Sequence, residues 1–365
     1  MAEPKTAQAK SAERAILYRY RRIELRKCEL DRLVQFVPGL PDPTESGDRD
    51  LVLARDSWEA LDTRHRNMAV GFVRRSFLSG RHQLHPPRVF SRTAKNSLFE
   101  RAHLRAIKAP KIVMRTKDMP MAALAPKNTL PMTPLMALVG KLKTSPMEDL
   151  AVILNSRLFH FHWQREAPKQ GGPGTVPERA GSFLMPMITK KAGRAFHETR
   201  DEILDLAEEN SERLMAMDQV HKIAVGAGVP LASLSGTHGI IREINVPRPL
   251  GDVGEVKRRG PVVIFRRGST IVTTTEEAAT YLELWLQDRF DQLTGMSREQ
   301  LDDFIKMPLS TAHVVVVLQH RARIEAQIEK TQAKIDELQR LAEEQLYDLY
   351  HIGEPEREYL RANYA

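Results

Sequence analysis

Asp252, Glu255 and Lys257 are the residues whose types and spacing come nearest to a catalytic grouping. Glu255-Val-Lys257 matches the Glu-x-Lys half of a magnesium-dependent nuclease motif. That chemistry needs another Asp on a separate strand to share the metal. Asp252 instead lies three residues upstream in the same glycine-rich stretch. Two histidine pairs, His82/His85 and His160/His162, have no cysteine or close acid grouping to complete a metal site. Cys28 is the single cysteine, so neither an internal disulfide nor a cysteine zinc cluster is expected. Gly-x-Gly-x-x-Gly, Gly-x-x-x-x-Gly-Lys-Ser/Thr, His-Glu-x-x-His and Gly-x-Ser-x-Gly are all absent. So is the Asn/Asp-Pro-Pro-aromatic motif that grips the amino group of a flipped adenine. The one Pro-Pro, in His85-Pro-Pro-Arg88, has the wrong neighbours.

Charge is more informative. Between Arg64 and Lys117 stand fourteen Lys and Arg and one acid, Glu100, a local net of +13. The whole chain is +8, so the remaining residues sum to −5. Such asymmetry points to a polyanion held at one place. The 365 residues, 42% apolar, are enough for two or three domains with real cores. No run of about 18 apolar residues predicts a membrane span, and Met1-Ala-Glu-Pro-Lys5 has no signal-peptide core. The expectation is a soluble, cytoplasmic chain.

These residues must be positioned by recognisable elements. Residues 1–12 read as a tail. From Glu13 to Val37 the pattern is helical, with a seam of Ile16, Tyr20, Ile23, Lys27, Leu30, Val34 and Val37. Residues 51–108 are the basic region, with short pieces around Gly71–Arg74 and Ser97–Ile107. Short strands follow from 110, then one helix over Met147–Trp163. Phe183-Leu-Met-Pro186 predicts an edge strand. A long acidic helix from Gly193 to Ala224 carries Phe196, Ile203, Ala207, Asn210, Leu214 and Met217 at heptad spacing. Residues 225–257 read as loop. A hairpin is predicted at 262–274, then a helix capped by Thr274 with Glu277, and another over Ser297–Ile305. The last helix, Ala312 to Tyr350, has the seam Val314, Val317, Ile324, Ile328, Thr331, Ile335 and Leu338. The acidic flank of one long helix and the basic residues of the other suit pairing into a rigid spacer.

Several stretches resemble the target-recognition region of adenine N-6 DNA methyltransferases of restriction and phage-defence systems. These are the Taq-type and type IIG enzymes, related to type I specificity subunits. The stretches are Pro110-Lys-Ile-Val-Met-Arg115, Leu150-Ala-Val-Ile-Leu-Asn-Ser-Arg-Leu-Phe159, Phe183-Leu-Met-Pro186, Ala195–Met217, Ile335-Asp-Glu-Leu338, Tyr347-Asp-Leu-Tyr350 and Gly353-Glu-Pro-Glu356. They cover somewhat under half the chain, and a methyltransferase domain is missing. The resemblance implies an α+β fold, a β-rich target-recognition domain with long coiled-coil-like spacer helices. The expected segments are 1–50 (helix and linker), 51–192 (recognition domain), 193–224 (spacer), 225–310 (insert) and 311–365 (spacer and tail).

The resemblance further implies a non-catalytic specificity subunit that binds double-stranded DNA. It would place a separate DNA methyltransferase subunit, with its S-adenosylmethionine, or a restriction/anti-phage complex on a chosen sequence. Arg74, Arg75, Arg81 and Arg88 are candidate DNA contacts. Lys111 and Arg115, four apart, fall on one strand face, where with Lys117 and Lys127 they could meet phosphates or guanine edges. Lys190, Lys191 and Arg194 begin a helix, a place that disfavours cations unless an anion is near. Asn155 and Ser156 are expected to hydrogen-bond inside the domain. The first helical seam, Ile16, Tyr20, Ile23, Leu30 and Val34, is expected to dock the partner subunit. Two other readings stay open: a metal-dependent restriction-type nuclease using Glu255 and Lys257, and a coiled-coil scaffold that binds nucleic acid without sequence choice.

Overall fold

The computed structural model describes residues 4–21, 27–40, 52–54, 69–73, 78–84, 87, 89–91, 99–115, 120–142, 145–165, 179–189, 191, 193–225, 229–230, 240–250, 256–265, 268–287, 293, 296–308 and 310–364. The fold is α+β. It has two compact units, residues 1–212 with 330–365, and residues 213–329.

In chain order, α1 (Pro4–Arg21) precedes β1 (Lys27–Glu29), the one-turn α2 (Leu30–Leu33) and β2 (Val34–Pro38). Next come β3 (Val52–Ala54), β4 (Val70–Val73), β5 (Leu78–Gly80), β6 (Gln83–Leu84) and β7 (Val89–Ser91). Then follow α3 (Arg101–Lys108), β8 (Lys111–Arg115), β9 (Met121–Ala125), β10 (Thr129–Pro131), β11 (Leu135–Gly140), α4 (Met147–Ile153), α5 (Arg157–Arg165) and β12 (Leu184–Pro186). The long α6 (Arg194–Val225) leads to β13 (Val229–Pro230), β14 (Ile241–Asn245), β15 (Lys257–Arg259), β16 (Val262–Ile264), β17 (Thr270–Thr273), α7 (Glu276–Gln287), α8 (Arg298–Phe304) and β18 (Lys306–Met307). The chain closes with α9 (Thr311–Leu349) and α10 (Glu354–Asn363).

In the first unit the antiparallel sheet β2–β11–β8–β9 is buried on both faces. Strand side chains alternate between faces. Ile112, Met114 and Ala122 pack on Leu150, Ile153 and Leu158 of the helical core. Val113, Ala123 and Leu135 turn the other way, onto Val73, Leu78 and Leu84. A strand covered on both sides reads as a continuous apolar run, which is why Ile112-Val-Met114 shows no alternation. A second sheet, β10–β4–β7–β3, joins β10 to β4 in parallel and is otherwise antiparallel.

Most of the stretches behind the family resemblance meet in the helical core. Phe159 packs edge-on to Phe183, Tyr20 stacks on Tyr350 with ring centres 5.6 Å apart, and the Tyr350 hydroxyl donates to the Leu184 carbonyl at 2.7 Å. Aromatic pairs of this kind add to the area they bury. Asn155 is fully buried, as expected. Its side chain accepts from Ala122 N and donates to Ala122 O, both at 2.9 Å, tying the helices to β9.

Five expectations change. First, the helix predicted over 13–37 is α1 from Pro4, then a strand, a turn and another strand. The 1–12 tail is therefore helical from Pro4, and Val34 and Val37 lie on β2, paired with β11. Secondly, Met147–Trp163 is two helices. Asn155 breaks the run, and Ser156 accepts the Phe159 amide at 3.2 Å as the cap of α5. Thirdly, Thr275, not Thr274, accepts the Ala278 amide at the start of α7, while the Thr274 hydroxyl donates to Ile240 O. Fourthly, the stretch read as loop contains β14. Lastly, the first seam is spent inside the chain: Ile16, Tyr20, Leu30 and Val34 are all buried in the first unit's own core, and Ile23 lies outside the described residues. A docking role for Ile16, Tyr20, Leu30 and Val34 is withdrawn, because their side chains are enclosed in the chain's own core.

The edge strand, the hairpin and helix α8 agree with expectation. Among the described residues β12 pairs only with β1, β16 pairs antiparallel with β17, and Ser297 at the start of α8 accepts the Gln300 amide. In the second unit the sheet β14–β17–β16–β15 packs Val263 and Ile271 on Tyr281 and Leu282 of α7. The long helices touch within each unit. In the first, Lys334 pairs with Glu202 and Gln345 donates to Thr199 Oγ1 at 3.1 Å. In the second, Leu214 and Met217 cluster with Ile324 and Ile328.

Candidate nucleic-acid interface

Helix α3 lies inside the basic segment, and its sequence splits it into two faces. Ala106 and Ile107 enter a core with Phe72, Leu130 and Val139. His103 is also buried; its Nδ1 accepts the Glu100 amide at 3.2 Å, so its Nε2–H donates to Pro38 O at 3.2 Å. The opposite face carries Arg101, Leu104, Arg105 and Lys108, all exposed. Positions i, i+4 and i+7 share one side of a helix, so three cations line up there.

Neighbouring segments extend this row. Arg105 donates to the carbonyls of Gly140 at 3.3 Å and Lys141 at 3.1 Å, which sets the exposed Lys141 beside it. Asn128 N donates to Ile107 O at 2.8 Å, bringing the turn that bears Lys127 to the C-terminal end of α3. Asn128 holds φ at 60°, a conformation Asn tolerates better than most residues. Lys127, the residue before Asn128, and Lys108, the residue after Ile107, are both exposed. Among the described residues, Arg101, Lys108 and Lys127 have no carboxylate partner within ion-pair distance. The patch is thus five cations from three segments: Arg101, Arg105, Lys108, Lys127 and Lys141. Exposed cations without acids gain most from an external polyanion, by releasing its condensed counterions.

The remaining candidates divide as follows. Lys111 is fully buried, on the same sheet face as Val113; its ammonium donates to Pro126 O at 2.8 Å and reaches Thr129 Oγ1 at 3.5 Å. Burial lowers its pKa to about 8. It is an internal tie, and its proposed contact with DNA is corrected on that ground. Arg115, four residues on, is half-buried with its Nε enclosed. Arg81 is half-buried at the tip of the β5–β6 hairpin. Lys191 and Arg194 are exposed at the start of α6, but Arg194 pairs with Glu198 at 2.8 Å. Its helix therefore supplies the anion expected from outside. Arg74, Arg75, Arg88, Lys117 and Lys190 lie outside the described residues, or their side chains do.

Arg101, Arg105, Lys108 and Lys141 were not singled out from sequence, although the 4,3 spacing of the first three was visible. The second histidine pair serves packing: His160 Nε2 meets Pro120 O at 3.0 Å, and His162 Nε2 lies 3.4 Å from Ser182 Oγ, while His85 of the first pair lies outside the described residues. For the nuclease alternative, Asp252 and Glu255 fall outside the described residues, and Lys257 is exposed on the edge strand β15. Among the described residues no three acids, histidines or cysteines group as metal ligands, and no helix is long and apolar enough to cross a membrane.

No known family profile matches the chain, and neither does any curated protein. Among solved structures it is similar to the HsdS subunit of Thermoanaerobacter tengcongensis, with 15% identity, a TM-score of 0.33, and 89% of this chain and 96% of that one covered. A chain from work on complex assembly and conformational transition of the type I R-M system shows 13% identity and a TM-score of 0.34, over 89% and 97% of the two chains. The S subunit of a type I restriction-modification system from M. genitalium shows 10% identity and a TM-score of 0.35, over 90% and 96%. The functional reading is carried by the chain's own residues.

Proposed function

We propose that this chain is a sequence-specific DNA-binding specificity subunit. It would target a separate adenine DNA methyltransferase, or a restriction/anti-phage complex, to its site. The observation that carries this is the cationic patch centred on α3, set within a segment of net +13 in a chain otherwise net negative. Backbone phosphates would meet these cations and fix the position of the duplex, leaving bases to be read by neighbouring side chains. Methyl transfer, with S-adenosylmethionine, would belong to the partner, since no motif for gripping a flipped adenine stands in this chain. The resemblance of Leu150–Phe159 and of the later stretches to recognition regions of such enzymes supports the same reading.

The test is a binding titration against duplex DNA over a range of salt. With about five phosphate contacts, log affinity should fall against log salt with a slope of about −4 to −5. A mixture of random duplexes should compete more weakly than the preferred sequence. Equal competition would favour the scaffold alternative, and magnesium-dependent cleavage by the chain alone would favour the nuclease.

A further inference from the structure

The β5–β6 hairpin is a two-stranded sheet of its own, with Arg81 and His82 as its tip. His82 has φ at 61°, in the left-handed region where glycine would be easier. Yet its side chain is buried and engaged. Gln339 of α9 donates its amide to Val152 O at 3.1 Å, which turns its Oε1 toward His82 Nε2 at 2.9 Å. Nε2 must therefore carry the proton and donate. Asn155 Nδ2 lies 3.2 Å from the same nitrogen, but its two protons go to Ala122 O and Ala151 O, each at 2.9 Å. The ring is thus fixed as one neutral tautomer, with Nδ1 enclosed and without a partner.

Helix α9 takes hold of the tip a second time. Gln332 Nε2 donates to the Arg81 carbonyl at 3.3 Å. Gln332 and Gln339 are seven residues apart, two turns along one face. Four residues further, Glu343 pairs with Arg157 and lies near enough to Arg81 for their charges to interact. The hairpin's own backbone adds one bond to the main sheet, His82 N to Ala122 O at 3.1 Å.

Resting on the specificity-subunit reading, we propose that Gln339 of α9, acting through His82, and Gln332, acting on the Arg81 carbonyl, are positioning residues that set where Arg81 and its hairpin meet DNA. Recognition then depends on the seat of α9, whereas the α3 patch, held by different contacts, supplies affinity that does not depend on sequence. A strained His in place of an easy Gly suits such a coupling, because its side chain adds the buried contact with Gln339 to the backbone contact that Arg81 O makes with Gln332.

The full chain, as wild type, Gln339→Met and His82→Gly, should be put through two measurements. In hydrogen exchange, amides of residues 78–84 should exchange at least tenfold faster in both variants, with the rest of the first unit unchanged. In selection from a random duplex library, enrichment of the wild-type motif should fall at least tenfold, while affinity for a mixed random duplex stays within threefold. His82→Gly removes the left-handed strain, so it stays informative should Gln339→Met fold poorly. Wild-type exchange in the hairpin would refute the anchoring, and an unchanged motif at unchanged enrichment would refute its role in recognition. If wild type enriches no motif, the specificity reading fails and this proposal fails with it.

Discussion

Lys111 shows how far one side chain can depart from its apparent role. By type and position it belongs to a basic strand, yet it stands inside the unit, bonded to Pro126 O and Thr129 Oγ1. Its folded pKa, about 8, is below the usual 10.5. The unfolded chain is therefore protonated first as pH falls, and stability from this group drops between about pH 10.5 and 8. At pH 7 the full burial cost is present, on the order of 3 kcal/mol. Thr129 already donates to Pro126 O at 2.7 Å, so removing the ammonium leaves that carbonyl satisfied. Lys111→Met should therefore leave the melting temperature unchanged or raise it, and leave DNA affinity unchanged. A weakened salt slope in this variant would return Lys111 to the interface. His82 and His162 act with the same sign at lower pH. Burial lowers both to about 4 from 6.5. Their contribution is intact above about pH 6.5 and is lost as pH falls toward 4, on the order of 3 kcal/mol each. Urea unfolding at pH 7, 5.5 and 4.5 should show this loss, and His162→Gln should flatten it.

At the scale of elements, α3 and α1 make opposite predictions. Arg101 and Lys108 are exposed on α3 and outside its core contacts, whereas Arg105 also ties down residues 140–141. Arg101→Glu with Lys108→Glu should leave folding intact and flatten the salt slope by about 2. On α1 and α2, Ile16→Asp or Leu30→Asp places a charge in a closed core and should cost several kcal/mol, read as unfolding rather than loss of a partner. What was legible in the sequence follows the same division. The long helices, the edge strand β12 and the 262–273 hairpin were readable because local period and turn residues determine them. The break at Asn155 was not, since it answers to Ala122 on a strand thirty-three residues away. Nor was the fate of the 13–37 seam: 4,3 spacing fits a helix, but Val34 and Val37 are taken by the sheet through pairing with β11, a contact no local pattern encodes. The cationic patch was half legible. Net charge located the segment, but which cations face outward depends on sheet pleat and helix phase, which put Lys111 inside and Lys108 outside.

For the whole molecule, the division of labour can be tested by reconstitution. The first unit offers a cationic patch and a core that encloses Ile16, Tyr20, Leu30 and Val34, the described docking residues of the first seam. The second unit has its own sheet and core and is free of the 64–117 charge block. If this chain specifies the site and a partner performs the chemistry, purified chain with S-adenosylmethionine and duplex DNA should transfer no methyl groups. Adding a methyltransferase that lacks its own recognition region should yield methylation at the sequence this chain selects. The Arg101→Glu/Lys108→Glu variant should still co-purify with that enzyme but support far less methylation than wild type at 50 mM salt, with a smaller further drop from 50 to 150 mM, since fewer phosphate contacts remain to be weakened by salt. Methyl transfer by the isolated chain would overturn the subunit reading, because it would need an adenine-gripping site that no motif in these 365 residues supplies.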